Sequence, residues 1–392
     1  MRRIAARKRG SFNHAAGFIQ YNAAVAEPPN HRGTTLKLTA VARLAEALGE
    51  SPQLFPHALD LRNDSVAFVE LSRADYARAS FLDARILGAG TPRQTHPWGE
   101  VTAAIEAAGL AERCNFIFHI GHVGSTLLSR LMGAHARVFA LREPMVLRTL
   151  AQLQSDAASA PQPWSAVEFD ARLGGCLKLL SRTFGPQQCA LIKATSFVGE
   201  LAAALLMRAS APRAILMYVA PETYLATILG GANSREEARL LTPQRLRRLR
   251  RRVGHGAWSD APLTEGEALA LGWACETVAL THAARAAGAR AMPLDFEKFL
   301  AAPAASLREV LRHVGIEASA GEIESIIGGP DMQRYSKAPE HAYDAALRCA
   351  VLEEARALYA AEIRRGLAWL ERAATQFSAV RDALSFTQAA SR

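Results

Sequence analysis

The run Cys114-Asn-Phe-Ile-Phe-His-Ile-Gly-His-Val-Gly-Ser-Thr126 sets an apolar segment before a glycine-containing turn, and the turn before a helical pattern. Phe116, Ile117, Phe118 and Ile120 read as a buried parallel strand. Leu127, Leu128, Leu131 and Met132 recur at helical spacing. Between them, Gly121, His122, Val123, Gly124, Ser125 and Thr126 form a loop that can hold an anion. Glycines let the backbone approach a ligand closely, and the first N–H groups of the helix carry partial positive charge. Ser125 and Thr126 add hydroxyl groups, although both are also ordinary helix caps. The spacing is G-x-x-G-S-T, without the lysine of G-x-x-x-x-G-K-[ST]. Such a loop suits a 5′-phosphate better than a triphosphate with its magnesium.

Other residues could complete a reactive site. Glu143, in Leu141-Arg142-Glu143-Pro144, follows the next short strand and could accept a proton from a hydroxyl. Arg142 beside it could favour its charged form, and a first-turn helix acid is the plainer reading. His122 could donate to an anion or act as a base, whereas His119, inside the strand, reads as a core histidine. Lys193 ends the strand that begins at Cys189, in a chain where lysine is scarce, and could be an anion ligand. Thr227 follows the turn Tyr218-Val219-Ala220-Pro221. Arg334-Tyr335-Ser336-Lys337, after Gly328-Gly329-Pro330, offers two cations and a hydroxyl that could wrap a phosphate, or be a solvated loop.

The strand–GxxGST–helix form resembles the 5′-phosphosulfate loop of sulfotransferases that use 3′-phosphoadenosine 5′-phosphosulfate. In that family the loop often reads P-K-S-G-T-T, so His122 stands where Lys or Arg is usual. The Arg142-Glu143-Pro144 turn resembles the family's base-bearing turn. The third strand and its turn match the segment that carries Arg-Asp-Pro and a later serine, here Val219, Pro221 and Thr227. Leu294-Asp-Phe-Glu-Lys-Phe-Leu300, Pro303 and His313-Val-Gly-Ile316 resemble a late packing segment of the family. The matched segments span about residues 114 to 340. The resemblance implies a nucleotide held by Gly121–Thr126, Lys193, Thr227, Arg334, Ser336 and Lys337, with Glu143 or His122 as the proton acceptor. It implies adenosine 3′,5′-bisphosphate as product, a small-molecule or carbohydrate acceptor, and no metal.

These residues must be positioned by alternating elements. From Val101 onward, strands near 116–120, 138–141, 189–193, 213–218 and 289–294 alternate with helical patterns, which means βαβ units and a parallel sheet. Ligands of such sheets lie beyond the carboxyl ends of the strands. The fold expected is α/β: a P-loop-type parallel sheet with helices on both faces, a small N-terminal α+β subdomain and C-terminal helices. Residues 1–33 are expected to be a disordered basic tail, 34–98 the subdomain, and 99–380 the main domain. The subdomain reads as a helix over Leu36–Leu48, one or two strands between 55 and 71, and a helix over 71–87, with 88–98 a linker. Arg245 to Arg252, with Leu246 and Leu249, reads as a solvated amphipathic helix rather than a nucleic-acid surface.

Bulk composition narrows the classes. Half of the 392 residues are hydrophobic, enough for a sizeable core, and the net charge of +9 suits an anionic partner. The 5 cysteines form no CxxC pair, which argues against a zinc ribbon or a disulfide framework. No stretch has the length of a membrane span or the form of a secretory signal, so a soluble cytoplasmic protein is expected. Two other readings compete: a P-loop nucleotide kinase or hydrolase, and a non-catalytic binder of anions or nucleic acid.

Overall fold

The computed structural model describes residues 32 to 389, apart from 89, 158–159, 255–261, 339, 341 and 343. The expected tail, 1–33, lies almost wholly outside the described residues. Contacts divide the chain into Met1–Ala40 and Val41–Arg392, and the second unit holds both sheets.

The first sheet is antiparallel, in the order β1 (Leu54–Asp60), β2 (Ser65–Glu70), β3 (Arg93–Pro97). Val66, Phe68 and Val69 of β2 are buried, as a middle strand requires. β3 occupies the stretch expected to be a linker; its polar, mostly exposed residues give no apolar alternation to read. The expected helix over 71–87 shortens to Arg73–Arg78, closed by a Ser72/Asp75 capping box, with a 3₁₀ turn at Ala84–Ile86. The part of the helix Arg32–Glu50 that belongs to the second unit buries Leu44 and Leu48.

The second sheet is fully parallel, in the order β5-β6-β4-β7-β8, built from β4 (Cys114–His119), β5 (Val138–Arg142), β6 (Cys189–Lys193), β7 (Ala214–Tyr218) and β8 (Ala291–Asp295). β4 is central, between β6 and β7, and Phe116 to His119 are all buried. The Phe116 and Phe118 rings stack at 5.1 Å, two residues apart on one face. Crossovers from β4 run one way to β5, while β7 and β8 lie on its other side. The gap between β4 and β7 is therefore the switch point at which such sheets open a cleft. The helix Glu265–Ala287 packs behind this sheet and buries residues nearly all round its circumference, Trp273 and Glu276 among them. After β8 the chain is helical almost to its end, through Ala345–Leu358, Ala360–Gln376 and Ser378–Ala389.

The helix Ala232–Val253 overturns the solvated reading for two of its arginines, while Arg247 and Arg251 are exposed as expected. Arg245, Arg248 and Leu249 are all buried. Arg248 grips Glu276 with two bonds of 2.8 and 2.9 Å, bonds Glu200 at 2.8 Å, and stacks on Phe197. Arg251 and Arg252 also reach Glu200. These arginines face inward because two carboxylates wait for them in the interior, a pairing that no one-dimensional pattern displays. No helix among the described residues is long and apolar enough to cross a membrane.

Candidate functional site

The loop after β4 is shaped by its backbone. Gly121, His122 and Gly124 all take positive φ, at 86°, 55° and 69°. Glycine bears this freely, whereas a histidine there is strained and held by its surroundings. Gly124 precedes the helix Ser125–Gly133, and no side chain caps that helix start. Its first N–H groups are left for a ligand or water. Gly124 has no room for more: a Cβ there would lie 2.0 Å from the Phe296 ring, just past β8. Ser125 and Thr126 are buried, and Thr126 Oγ1 meets no hydrogen-bond partner. Inside the strand tip, the Gly121 N–H donates to His119 Nδ1 at 3.0 Å. Burial pushes the His119 pKa well below its ordinary value, with Lys193 and Lys337 pushing the same way.

Two strand tips beside the loop carry an ion pair. Glu143 follows β5 with φ 56°, and its N–H donates to the Lys193 carbonyl at 2.7 Å. Its carboxylate pairs directly with the Lys193 ammonium, which is buried at the end of β6. Lys193 pairs in register with Ile117 of β4, which places it beside the base of the loop. Burial lowers the lysine pKa, and Glu143 pulls it back up. Arg142 does not serve Glu143 as expected. Its guanidinium turns away to the carbonyls of Tyr76, Ala77 and Ala79 and fastens the helix Arg73–Arg78 to the sheet.

His122 leaves the loop toward the helix Ala232–Val253, where its Nε2 lies 3.7 Å from Glu237 Oε2. Burial lowers its pKa, Glu237 opposes that shift, and Lys337 and Arg245 add to it. Lys337 thus acts on His119, His122 and Lys193 together. Its loop is drawn to the site by Arg130 of the glycine-loop helix, whose Nε donates to the Ser336 carbonyl at 2.8 Å.

The remaining named residues fall outside this cluster. Arg334 is exposed, in a backbone bridge with Ala342, so the nearby cation of that loop is Lys337. Thr227 donates its hydroxyl back to the Thr223 carbonyl at 2.7 Å within its own helix. Val219 is fully buried, and its carbonyl accepts from Trp273 Nε1 at 3.1 Å. Glu237 was not foreseen; it reaches His122 from a helix more than 100 residues downstream, and only a pairing partner for His122 could have pointed to it. A cavity of about 720 Å³ lies on the other face of that helix, lined by Arg235, Leu246, Leu263, Leu271 and Trp369 and by none of the residues above. Among the described residues, no group of three acidic, histidine or cysteine side chains could hold a metal ion.

No family model matches the chain, and no curated protein matches it. The chain is similar to solved sulfotransferase structures. One is the sulfotransferase domain from the Synechococcus PCC 7002 olefin synthase, at 13% identity and TM-score 0.37, over 66% of this chain and 95% of that one. A second is the sulfotransferase domain from the curacin biosynthetic pathway, at 13% identity and TM-score 0.36, over 64% and 98%. A third is a sulfotransferase from Mycobacterium tuberculosis H37Rv, at 14% identity and TM-score 0.33, over 82% and 98%.

Proposed function

We propose that the protein transfers a sulfonate group from 3′-phosphoadenosine 5′-phosphosulfate to a hydroxyl or amine of a small molecule or carbohydrate. The observation that carries this is the loop Gly121–Thr126. It is a three-fold positive-φ turn at the tip of the central strand, opening an uncapped helix, with no room for a side chain at Gly124. The order of loop, Arg142-Glu143-Pro144 and the segment from Leu294 to Ile316 gives the same reading from the sequence.

In this reading the backbone N–H groups of the loop hold the 5′-phosphate, and Thr126 Oγ1 gains the partner it lacks. The acceptor oxygen or nitrogen attacks sulfur as the bond from sulfur to the bridging oxygen breaks. The acceptor proton passes to Glu143, and adenosine 3′,5′-bisphosphate leaves. Lys193 fixes the Glu143 carboxylate in place, and with Lys337 it supplies positive charge where the sulfonate passes. Positioning and electrostatics supply the rate, as in phosphoryl transfer.

The test is thermal unfolding with adenosine 3′,5′-bisphosphate, wild type against Gly124→Ala. A ligand at 100 times its Kd stabilises by about 2.7 kcal/mol. Wild type should show a shift of that order and the variant none, since its methyl group meets Phe296 and a φ of 69°. No shift for wild type overturns the reading. A larger shift with magnesium and ATP replaces it with a nucleotide kinase or hydrolase.

A further inference from the structure

The cavity of about 720 Å³ beside the helix Ala232–Val253 has no part in the chemistry above. Arg235, Arg239, Leu246 and Arg250 line it at helical spacing, so one face of that helix forms a wall. Glu237, which meets His122, and Arg248, which meets Glu276, stand on the opposite face. The cavity is therefore separate from the glycine loop. Its second wall is the start of the helix Glu265–Ala287 and the residues that lead into it, with Leu263 and Leu271. Trp369 of the helix Ala360–Gln376 supplies a third side.

These walls are fixed by contacts outside the cavity. The helices Glu265–Ala287 and Ala360–Gln376 cross backbone to backbone: a Cβ on Gly266 would lie 1.9 Å from the Glu362 carbonyl oxygen, and one on Gly366 2.6 Å from the Gly266 carbonyl oxygen. Trp369 follows Gly366 by one turn and is buried there. On the remaining side Arg235 grips Glu265 through two bonds of 2.7 Å and donates to the Tyr359 hydroxyl at 3.1 Å. The space is thus set by docked helices and stands ready before any ligand arrives. Its size is that of clefts that enclose a drug-sized molecule. Leucine and tryptophan side chains give water few hydrogen-bond partners, so an apolar body displaces it favourably.

The charge around this apolar space is one-sided. Among the described residues, Arg235, Arg239 and Arg250 line it against a single acid, Glu265, and Arg235 takes that acid. Arg239 pairs with Glu236, one turn back on its own helix, and the two side chains are 71% and 56% exposed. An exposed pair of this kind contributes little, so an incoming anion can take the guanidinium at small cost. We propose that the cavity binds an amphiphile with an elongated apolar body and a single anionic head such as a carboxylate. The body lies against Leu246, Leu263, Leu271 and Trp369, and the head meets Arg239 and Arg250, whose planar forks suit a carboxylate. Nothing in this assignment depends on what the glycine loop binds.

Calorimetric titration of the full chain with hexanoate, octanoate, decanoate and 1-decanol tests this. Affinity should rise about 3- to 4-fold for each methylene from hexanoate to decanoate, as burial of the chain requires. Arg239→Gln should weaken decanoate about 3- to 10-fold and leave 1-decanol unchanged. Ala268→Phe, which places a ring inside the cavity, should weaken both about 10-fold or more. If that variant fails to fold, the chain-length series on wild type and the exposed Arg239→Gln still carry the test. Absence of decanoate binding to wild type overturns the proposal, as does an affinity that does not change with chain length. Decanoate bound equally well by a folded Ala268→Phe places the ligand elsewhere and overturns it too. Equal loss of decanoate and 1-decanol in Arg239→Gln, or 1-decanol bound more tightly than decanoate by wild type, overturns the anionic head.

Discussion

Two buried ion-pair systems lie within one fold, and they are built from different cations. At the strand tips beside the loop, a lysine, Lys193, is held by one glutamate, Glu143, which keeps a little contact with solvent. In the interior, arginines 245 and 248 converge on Glu276, and Glu200 gathers 248, 251 and 252. The difference is chemical. A lysine that loses its partner can shed its proton and become a neutral amine; an arginine cannot. The tip pair can change its charge, whereas the interior network tolerates no such change. An adjustable pair belongs where charge moves, and a fixed one where helices must stay docked.

Removing one acid from each system should expose this. Glu276→Gln leaves Arg248 and Arg245 buried without their shared counter-ion, and a buried pair broken from one side costs about 3–5 kcal/mol. The loss should be the largest of any single change proposed, and it should not recover at any pH from 6 to 10, as urea unfolding at each pH would show. Full recovery at alkaline pH would mean that the network is wet and replaceable.

Glu143→Gln should cost less stability, about 1–3 kcal/mol near pH 7, because Lys193 can neutralise itself. The sign of the pH dependence follows from linkage. The unfolded chain holds the lysine proton up to about pH 10.4, while the folded chain, with the lysine pKa already lowered by burial and no longer raised by Glu143, releases it earlier. The unfolded state then binds more protons, so the variant gains stability as pH rises toward 10. Sulfonate transfer, by contrast, should stay depressed by about 10²- to 10⁴-fold across that range if Glu143 is the proton acceptor. A variant with wild-type turnover would move that role to another group.

Sequence and structure parted company along the same line. The loop, the five parallel strands and the tips that carry Glu143 and Lys193 were legible, because a fully buried strand shows itself as an apolar run and its ligands lie at its end. β3 was not, since an edge strand with exposed polar residues has no alternation to show. Arg245 and Arg248 were misread because a charged residue is exposed by default, and their acids at 200 and 276 stand on other elements. Lys337 was named from the sequence as a cation of a late loop, but Glu237, more than 100 residues from His122, was not, and only the packing of its helix against the glycine turn unites the two. Local pattern found the backbone of the site; the charges that surround it are tertiary.

The smallest effect tests the strand tip itself. His119 is buried as a neutral ring, with Nδ1 accepting from Gly121 N–H and positive charge from Lys193 and Lys337 nearby. The unfolded histidine takes a proton as pH falls through about 6.5, whereas the folded one does so only well below that. Below that point the unfolded state binds the extra proton, so stability falls as pH drops from 7 toward 5. His119→Asn, whose side-chain oxygen can still accept from Gly121, should remove that share of the acid dependence and lessen the loss of unfolding free energy between pH 7 and 5 by up to about 2 kcal/mol. An acid limb as steep as that of wild type would mean that His119 titrates alike in the folded and unfolded chains.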